Sequence, residues 1–305
     1  NPSPTDWRET ISSQIPALAL LQNMGYQYLT AQEALAHRNG KRAKIVLEDI
    51  LNAQLEKLNH IESRGKIYPF SNTNIQKAVA AISQFPYDAL YTTSEKLYDL
   101  LTLGKSLEQT INGDKKSHTL KYIDWENPAN NVYHVTDEFA IECRNSTQTR
   151  RPDIVLFING IPLVAIECKR PDLKDAVNEA ISQQLRNQRP DEIPHFFCLT
   201  QLLLAIAQNS AQYATTATQK EFWAIWKEEA PETVTAELHA LINIPPTHAQ
   251  TEKLLSGRER SQQQTIRDIW AAGDRQISPQ DRILYSLLTP QRLLDLIFGY
   301  IIFDA

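Results

Sequence analysis

The stretch Arg151-Pro-Asp-Ile-Val-Leu-Phe-Ile-Asn-Gly-Ile-Pro-Leu-Val-Ala-Ile-Glu-Cys-Lys169 decides how the chain is read. Two apolar, β-branched runs, Ile154–Ile158 and Leu163–Ile166, flank Asn159-Gly160, a strong short-range signal for a tight hairpin. Two antiparallel strands are expected, with charge gathered at their open end: Asp153 before the first strand, Glu167 and Lys169 closing the second. A side-chain period of two puts Leu163, Ala165, Glu167 and Lys169 on one face of the second strand, and Val164, Ile166 and Cys168 on the other.

Whether Asp153 joins Glu167 depends on the parity of the loop. A two-residue Asn-Gly loop pairs 158 with 161 and 153 with 166, which sends Asp153 to the wrong side. A three-residue loop, with Ile158 and Asn159 in a type I turn and Gly160 left-handed as a bulge, pairs 157 with 161 and 153 with 165, beside Glu167. If the three charged residues act together, the hairpin needs a bulged loop at Gly160 or a compensating bulge elsewhere.

The residue types suit a hard cation. Mg²⁺ prefers oxygen ligands, keeps several waters and is usually held by one or two carboxylates together with substrate phosphate. Asp153 and Glu167, with the backbone carbonyl of Cys168 as a third oxygen, supply such a shell, and Mn²⁺ is the expected substitute. Lys169 stands where it can orient hydroxide or stabilise a charged phosphodiester transition state. Charge at a strand end is commonly a solvated rim. Here the strand is otherwise almost wholly apolar, where an unpaired charge is costly.

The segment Asn131-Val-Tyr-His-Val-Thr-Asp-Glu-Phe139, followed by the stretch from Arg151 to Lys169, closely resembles the amino-terminal nuclease region of the restriction (R) subunit of type I restriction enzymes. Ile193-Pro-His-Phe-Phe-Cys-Leu-Thr-Gln-Leu-Leu-Leu204 and Glu221-Phe-Trp-Ala-Ile-Trp226 continue the likeness, which is strong over roughly residues 118 to 227. The resemblance implies an α/β fold with a restriction-endonuclease-like core, a central mixed β-sheet flanked by helices, and a helical carboxy-terminal extension. It implies a PD-(D/E)xK nuclease with Asp153 and Glu167 on Mg²⁺ and Lys169 catalytic. It also implies a helicase motor that uses ATP outside this chain, and a complex with double-stranded DNA and with methylation and specificity subunits. Related nucleases carry a Gln-x-x-x-Tyr motif on the next helix; Gln184-Leu-Arg-Asn-Gln188 occupies its place, with Gln188 where the tyrosine would stand.

Helical spacing tests the glutamine independently. Between Asp172 and Asn187, Leu173, Val177, Ala180, Ile181 and Leu185 form one apolar stripe. Gln184, seven residues after Val177, falls near that stripe, and Gln183 points away from it. His134, on an expected strand before the motif, is a candidate neighbour of the site, though such a histidine is more often a hydrogen-bonded structural residue.

The formal charge of −5 argues against indiscriminate DNA binding, which comes mainly from Lys and Arg on phosphates. A local basic rim is expected from Arg144, Arg150, Arg151, Lys169, Arg170, Lys174, Arg186 and Arg189, with Arg150, Arg151, Arg170, Arg186 and Gln188 the candidate DNA contacts. Three scattered cysteines, an odd number without metal-ligand spacing, suit a reduced, cytoplasmic setting. No apolar run reaches the length of a membrane span, and Asn1-Pro-Ser-Pro-Thr5 has no signal-peptide pattern.

The flanks read mainly as helix: Ala43 to Ile61, Asn74 to Phe85, and Glu95 to Leu103 before a stop at Gly104. Gly104-Lys105-Ser106 matches the end of a phosphate-binding loop, but Asp99 stands where its first glycine belongs. Asn243-Ile-Pro-Pro-Thr-His248 suggests a boundary between a nuclease domain, 1–242, and a linker with the first motor helices, 243–305. Helices are expected there from Glu252 to Ala271, Pro279 to Leu288 and Thr289 to Ile297. No nucleotide-binding motif precedes Ala305 and there is no initial methionine, so the expectation is a piece of a longer protein. Two other readings stay open: a repair or recombination nuclease with the same core, and a noncatalytic module coupling DNA or partner subunits to a motor.

Overall fold

The Asn159-Gly160 hairpin lies at the centre of a mixed sheet in the computed structural model, which describes residues 9–227 and 231–303. Asn1–Thr5 and Ala305, discussed above, fall outside the described residues. The strands are β1 (Gln27–Leu29), β2 (His60–Ser63), β3 (Lys66–Pro69), β4 (Lys105–Ile111), β5 (Asp114–Leu120), β6 (Tyr133–Asp137), β7 (Ile141–Glu142), β8 (Thr149–Arg150), β9 (Ile154–Ile158), β10 (Ile161–Lys169), β11 (Leu202–Ala207) and β12 (Ser210–Ala214). The α-helices are α1 (Ile15–Asn23), α2 (Ala31–Ala36), α3 (Glu48–Leu58), α4 (Asn72–Ser83), α5 (Leu90–Leu103), α6 (Ala176–Asn187), α7 (Pro194–Leu199), α8 (Glu232–Ile242), α9 (His248–Leu255), α10 (Arg260–Ala272), α11 (Pro279–Leu288) and α12 (Pro290–Tyr300). A π-helical turn, Thr10–Gln14, leads into α1.

The main sheet has six strands in the order β1-β6-β9-β10-β11-β12. The β1–β6 and β10–β11 pairs are parallel and the other three antiparallel. Every residue of β9, and all of β10 except Lys169, is buried, as continuous apolar strands must be when helices cover both faces. α1 and α2 pack on β1 and β6, α6 on β10 and β11, and α11 on β12 and α1. Full burial of each large apolar side chain in these strands contributes on the order of 1.5–3 kcal/mol. Leu254, Ile283, Leu284, Leu287, Leu293 and Ile297, all beyond residue 243, belong to the same buried cluster as the sheet.

The hairpin takes the second of the two routes set out above, a compensating bulge away from the loop. Asn159 (φ 52°) and Gly160 (φ 82°) form a two-residue turn pairing Ile158 with Ile161. The parity is restored further on, where the ladder passes from Pro162–Phe157 to Val164–Leu156 and leaves Leu163 as an extra residue. Proline has no N–H to give to the ladder, which makes position 162 a natural place for it to break. The compensating bulge is thus in the strand and not in the loop.

Other expectations are shifted by local chemistry. The helix expected over 43–61 is only Glu48–Leu58. Asn59 turns its side-chain amide back to the Leu55 carbonyl at 3.0 Å, and Ile61 falls in β2, which pairs with β3 across the left-handed Arg64-Gly65 turn. Another hairpin, β4–β5, follows α5, in a region where no element is expected from the sequence. Gly104 does stop α5, with φ 78°, and a Cβ there would lie 2.5 Å from the Leu120 carbonyl oxygen. The helix expected over 252–271 is two helices, α9 and α10, separated at Gly257 (φ 77°). Among the described residues, no helix is long and apolar enough to cross a membrane.

Candidate active site

After the bulge, Ile154 lies opposite Ile166, so Asp153, one step before β9, stands opposite Glu167. Both carboxyls are buried and face each other across the ladder. Asp153 Oδ2 accepts from the Cys168 backbone N–H at 2.7 Å. The Lys169 ammonium closes the group, with Nζ 3.3 Å from Glu167 Oε1 and 2.9 Å from the Cys168 carbonyl oxygen. On the far side of β10 the partners of Glu167 and Lys169 on β11 are the small residues Ala205 and Ala207.

Electrostatics follow from this crowding. Burial pushes Asp153 up to about 6 against the pull of the Lys169 ammonium. Burial and the facing Asp153 charge push Glu167 well above the ordinary carboxylate range. Burial alone would depress Lys169, but the carboxylates of Glu167, Asp153 and Glu9 outweigh it and hold the ammonium above its usual value. Two buried carboxyls facing each other resist joint ionisation, and a divalent cation relieves that conflict. The oxygens around Nζ are those of the proposed shell, so a positive charge already sits among the candidate ligands. Among the described residues no three His, Cys, Asp or Glu side chains form a metal cage. Two carboxylates and a carbonyl fit an ion that keeps waters, such as Mg²⁺, better than one fully enclosed by protein.

Four neighbours have no local signal that ties them to the motif. Glu9 Oε2 lies 3.9 Å from Lys169 Nζ. Gln14 Nε2 lies 3.5 Å from both the Asp153 carbonyl oxygen and Asp137 Oδ2. The Glu138 backbone N–H donates to the Asp153 carbonyl at 3.0 Å. Asp137 is itself buried, accepting from the Tyr28 hydroxyl at 2.7 Å and lying 3.3 Å from Arg258 Nη2. Asp137 closes β6, but the Tyr133-His-Val-Thr136 before it is largely polar, so it lacks the contrast that marks Glu167 at the end of an apolar strand. Glu9 and Gln14 come from more than a hundred residues away and only the fold reveals them. His134 is not a neighbour in register: it pairs with Phe157, towards the turn, whereas Asp137 pairs with Ile154.

Gln184 is buried, as its place on the helical stripe predicts. Its Nε2 donates to the Leu204 carbonyl at 2.7 Å, and its Oε1 is buried without a partner. Leu204 pairs with Ile166, the residue before Glu167, so Gln184 ties α6 to the strand beside the site. Gln188 is buried too: its Oε1 accepts from the Ala217 N–H at 2.9 Å and its Nε2 donates to the Gln184 carbonyl at 3.3 Å. That amide is engaged within the fold.

The candidate DNA-contacting arginines divide. Arg150 pairs with Glu192 at 2.5 Å, Arg151 with Glu138 at 3.0 Å and Arg170 with Asp172 at 3.4 Å. Arg186 instead lines an open groove of about 380 Å³ that starts at Lys169 and runs past Ser182 and Gln183. Lys220, which the sequence did not single out, lies on the other wall, 3.3 Å from the Ser182 hydroxyl.

Comparison with known proteins gives a consistent family. Residues 7–222 match a family model described as Type I restriction enzyme R protein N terminus. A putative type I restriction enzyme MjaIXP endonuclease subunit of Methanocaldococcus jannaschii is 26% identical over 213 residues, covering 69% of this chain and 20% of the relative. The type I restriction enzyme HindI endonuclease subunit of Haemophilus influenzae is 25% identical over 219 residues, covering 69% and 19%. A further M. jannaschii relative, named a putative type I restriction enzyme MjaVIIP endonuclease subunit, is 40% identical over 77 residues, 25% of this chain and 7% of its own. The chain thus spans about a fifth of the length of the first two.

Proposed function

The chain belongs to the family of type I restriction enzyme R protein N termini, and from that membership we propose that it is a PD-(D/E)xK nuclease domain, with a restriction-endonuclease-like core, that cleaves DNA phosphodiesters with Mg²⁺. One observation carries the reading: a bulge in an otherwise apolar hairpin brings Asp153 and Glu167 face to face, buried, with the Lys169 ammonium among their oxygens. Asp153, Glu167 and the Cys168 carbonyl would hold the ion, which supplies an acidified water and neutralises phosphate charge. Lys169, whose ammonium is retained by three carboxylates, is placed to donate to a phosphate oxygen entering from the groove. Arg186 and Lys220 on the groove walls offer charge to a strand running through it. The sulfur of Cys168 is buried and its pKa is raised by burial, so the residue serves through its backbone.

In a protein of the relatives' length, cutting would follow ATP-driven translocation by a motor region, with methylation and specificity subunits providing the DNA site, in the cytoplasm. Little base readout is expected of this chain, because specificity would belong to another subunit of the complex.

Mn²⁺ binding, read by calorimetry or electron spin resonance on the chain and on Asp153→Ala, tests the centre, with circular dichroism showing both folded. Binding should vanish in the variant; equal binding would sink the assignment. Lys169→Ala should keep its fold and lose DNA cutting by about a hundredfold or more. A folded Lys169→Ala protein that cuts as well as the parent would defeat the assignment of Lys169, and a parent chain that binds no Mn²⁺ would point to the noncatalytic coupling module.

A further inference from the structure

The π-helical turn Thr10–Gln14 reaches the site from the amino terminus, yet what grips it comes from the other end of the chain. The Gln280 side chain donates from Nε2 to the Ser13 carbonyl at 2.9 Å and accepts at Oε1 from the Ser13 hydroxyl at 2.7 Å. Both residues are buried. The amide is not needed to start α11, because Ser278 and Asp281 already form a capping box there. Ile15, at the end of the turn, is buried against Leu255 of α9 and Ile266 of α10, with Ile11 and Trp270 packed alongside. Arg258, between those helices, lies 3.3 Å from the Asp137 oxygen that Gln14 also approaches.

The held turn is the one that meets the site. Glu9, at its start, lies against Lys169, and Gln14, at its end, against the Asp153 carbonyl. Ser13 lies between them in the turn. The turn packs on β10 and β11. π-helical turns bond i to i+5, occur mostly as single turns within or beside α-helices, and are frequent at functional sites. A buried amide with donor and acceptor both satisfied is costly to disrupt, so the position of the turn is strongly fixed.

We infer that α9, α10 and α11 clamp the π-helical turn onto the carboxylate pair, and that Gln280 is a positioning residue whose grip on Ser13 sets divalent-cation affinity at Asp153 and Glu167. The inference rests on the nuclease reading above and deepens it: the helices following residue 243 help to assemble the site. A shift of α11 by the width of one hydrogen bond would move Ser13, and with it Glu9, Gln14 and the place available to Lys169.

The test compares the parent chain with Gln280→Met, which keeps the volume and removes the amide, with Gly113→Ala as a destabilised variant remote from the site. Two readouts are taken under conditions where circular dichroism shows all proteins folded: Mn²⁺ affinity, and the rate at which Cys168 is alkylated, with Cys143 and Cys198 as internal references by peptide mapping. Gln280→Met should bind Mn²⁺ about tenfold more weakly, as outer partners of a metal site commonly do when removed. Cys168 should be alkylated faster while the two references keep their rates. Gly113→Ala should change neither readout. Should Gln280→Met fail to fold, Ser13→Ala, which removes one of the two bonds, takes its place with the same expectations at smaller size. Unchanged Cys168 protection and unchanged Mn²⁺ affinity in a folded Gln280→Met protein would overturn the clamp. Mn²⁺ binding that is the same in the parent and in Asp153→Ala would instead overturn the site, and Cys168 protection would still decide whether Gln280 holds the turn.

Discussion

Two hairpins of this molecule start from the same dipeptide and end in different places. β9–β10 turns at Asn159-Gly160 and β4–β5 at Asn112-Gly113, each with both residues left-handed, φ 52° and 82° in the first and 54° and 82° in the second. β4–β5 then runs in unbroken register from Ile111–Asp114 to Lys105–Leu120, with charged residues along its open face. β9–β10 is apolar and breaks register once, at Leu163. The turn signal therefore fixes the topology of both and the function of neither. One extra residue in a buried strand is what puts two carboxylates on one face.

The two turns also differ in what surrounds them, and this gives the largest expected effect on stability. A Cβ at Gly160 would lie 2.5 Å from the Leu47 carbonyl oxygen and 3.0 Å from the Leu51 nitrogen, at the start of α3. A Cβ at Gly113 would meet nothing within 4 Å. Both substitutions pay the left-handed penalty of about 1–2 kcal/mol, partly offset by a stiffer unfolded chain. Only Gly160→Ala also forces backbone apart, for a total on the order of 3–5 kcal/mol against about 1 kcal/mol for Gly113→Ala. Chemical denaturation of the two variants side by side measures the difference. Equal losses would mean that the approach of α3 to the turn is not tight.

A second contrast concerns protons. His134, paired with Phe157 of the buried hairpin, is itself buried with Nδ1 unpartnered, and burial lowers it from 6.5 to about 4. His195 in α7 is lowered to about 4 as well, by burial and then by Arg144. A folded value below the unfolded one means that the unfolded chain takes up protons first as pH falls. Stability is therefore full above about 6.5 and lost progressively towards 4, by up to about 3 kcal/mol for each histidine. Urea midpoints between pH 7 and 4.5 should show this fall, and His134→Gln should flatten part of it. An unchanged acid limb in that variant would move the effect to His195.

How much of this was legible follows from how local each signal is. The hairpin, the joint placement of Asp153, Glu167 and Lys169, and the burial of Gln184 rest on side-chain periods and turn chemistry within a few residues, and the sequence carried them. The exact position of the bulge was open because a loop bulge and a strand bulge restore the same parity; only Pro162, a residue without an N–H, distinguished them. Glu9, Gln14 and Gln280 could not be found, since their partners lie far along the chain and each looks like an ordinary helix residue. The β4–β5 strands were missed because their exposed faces are charged, which hides the period of two that apolar strands display.

The smallest effect belongs to the open hairpin and is informative for being small. Lys115 pairs with Glu108 at 2.7 Å, the same kind of Lys–carboxylate contact as Lys169 with Glu167 at 3.3 Å. Both members of the first pair are 63% exposed, against 13% and 2% for the second. In water the attraction is screened and two long side chains must be ordered to make it. Lys115→Ala should leave the melting midpoint, Mn²⁺ affinity and DNA cutting where they were. The shorter distance is thus attached to the weaker consequence, because removing one partner matters only where water cannot replace it. A marked loss in Lys115→Ala would show that the β4–β5 hairpin is coupled to the site by charge, and that exposure does not separate the two hairpins as this contrast requires.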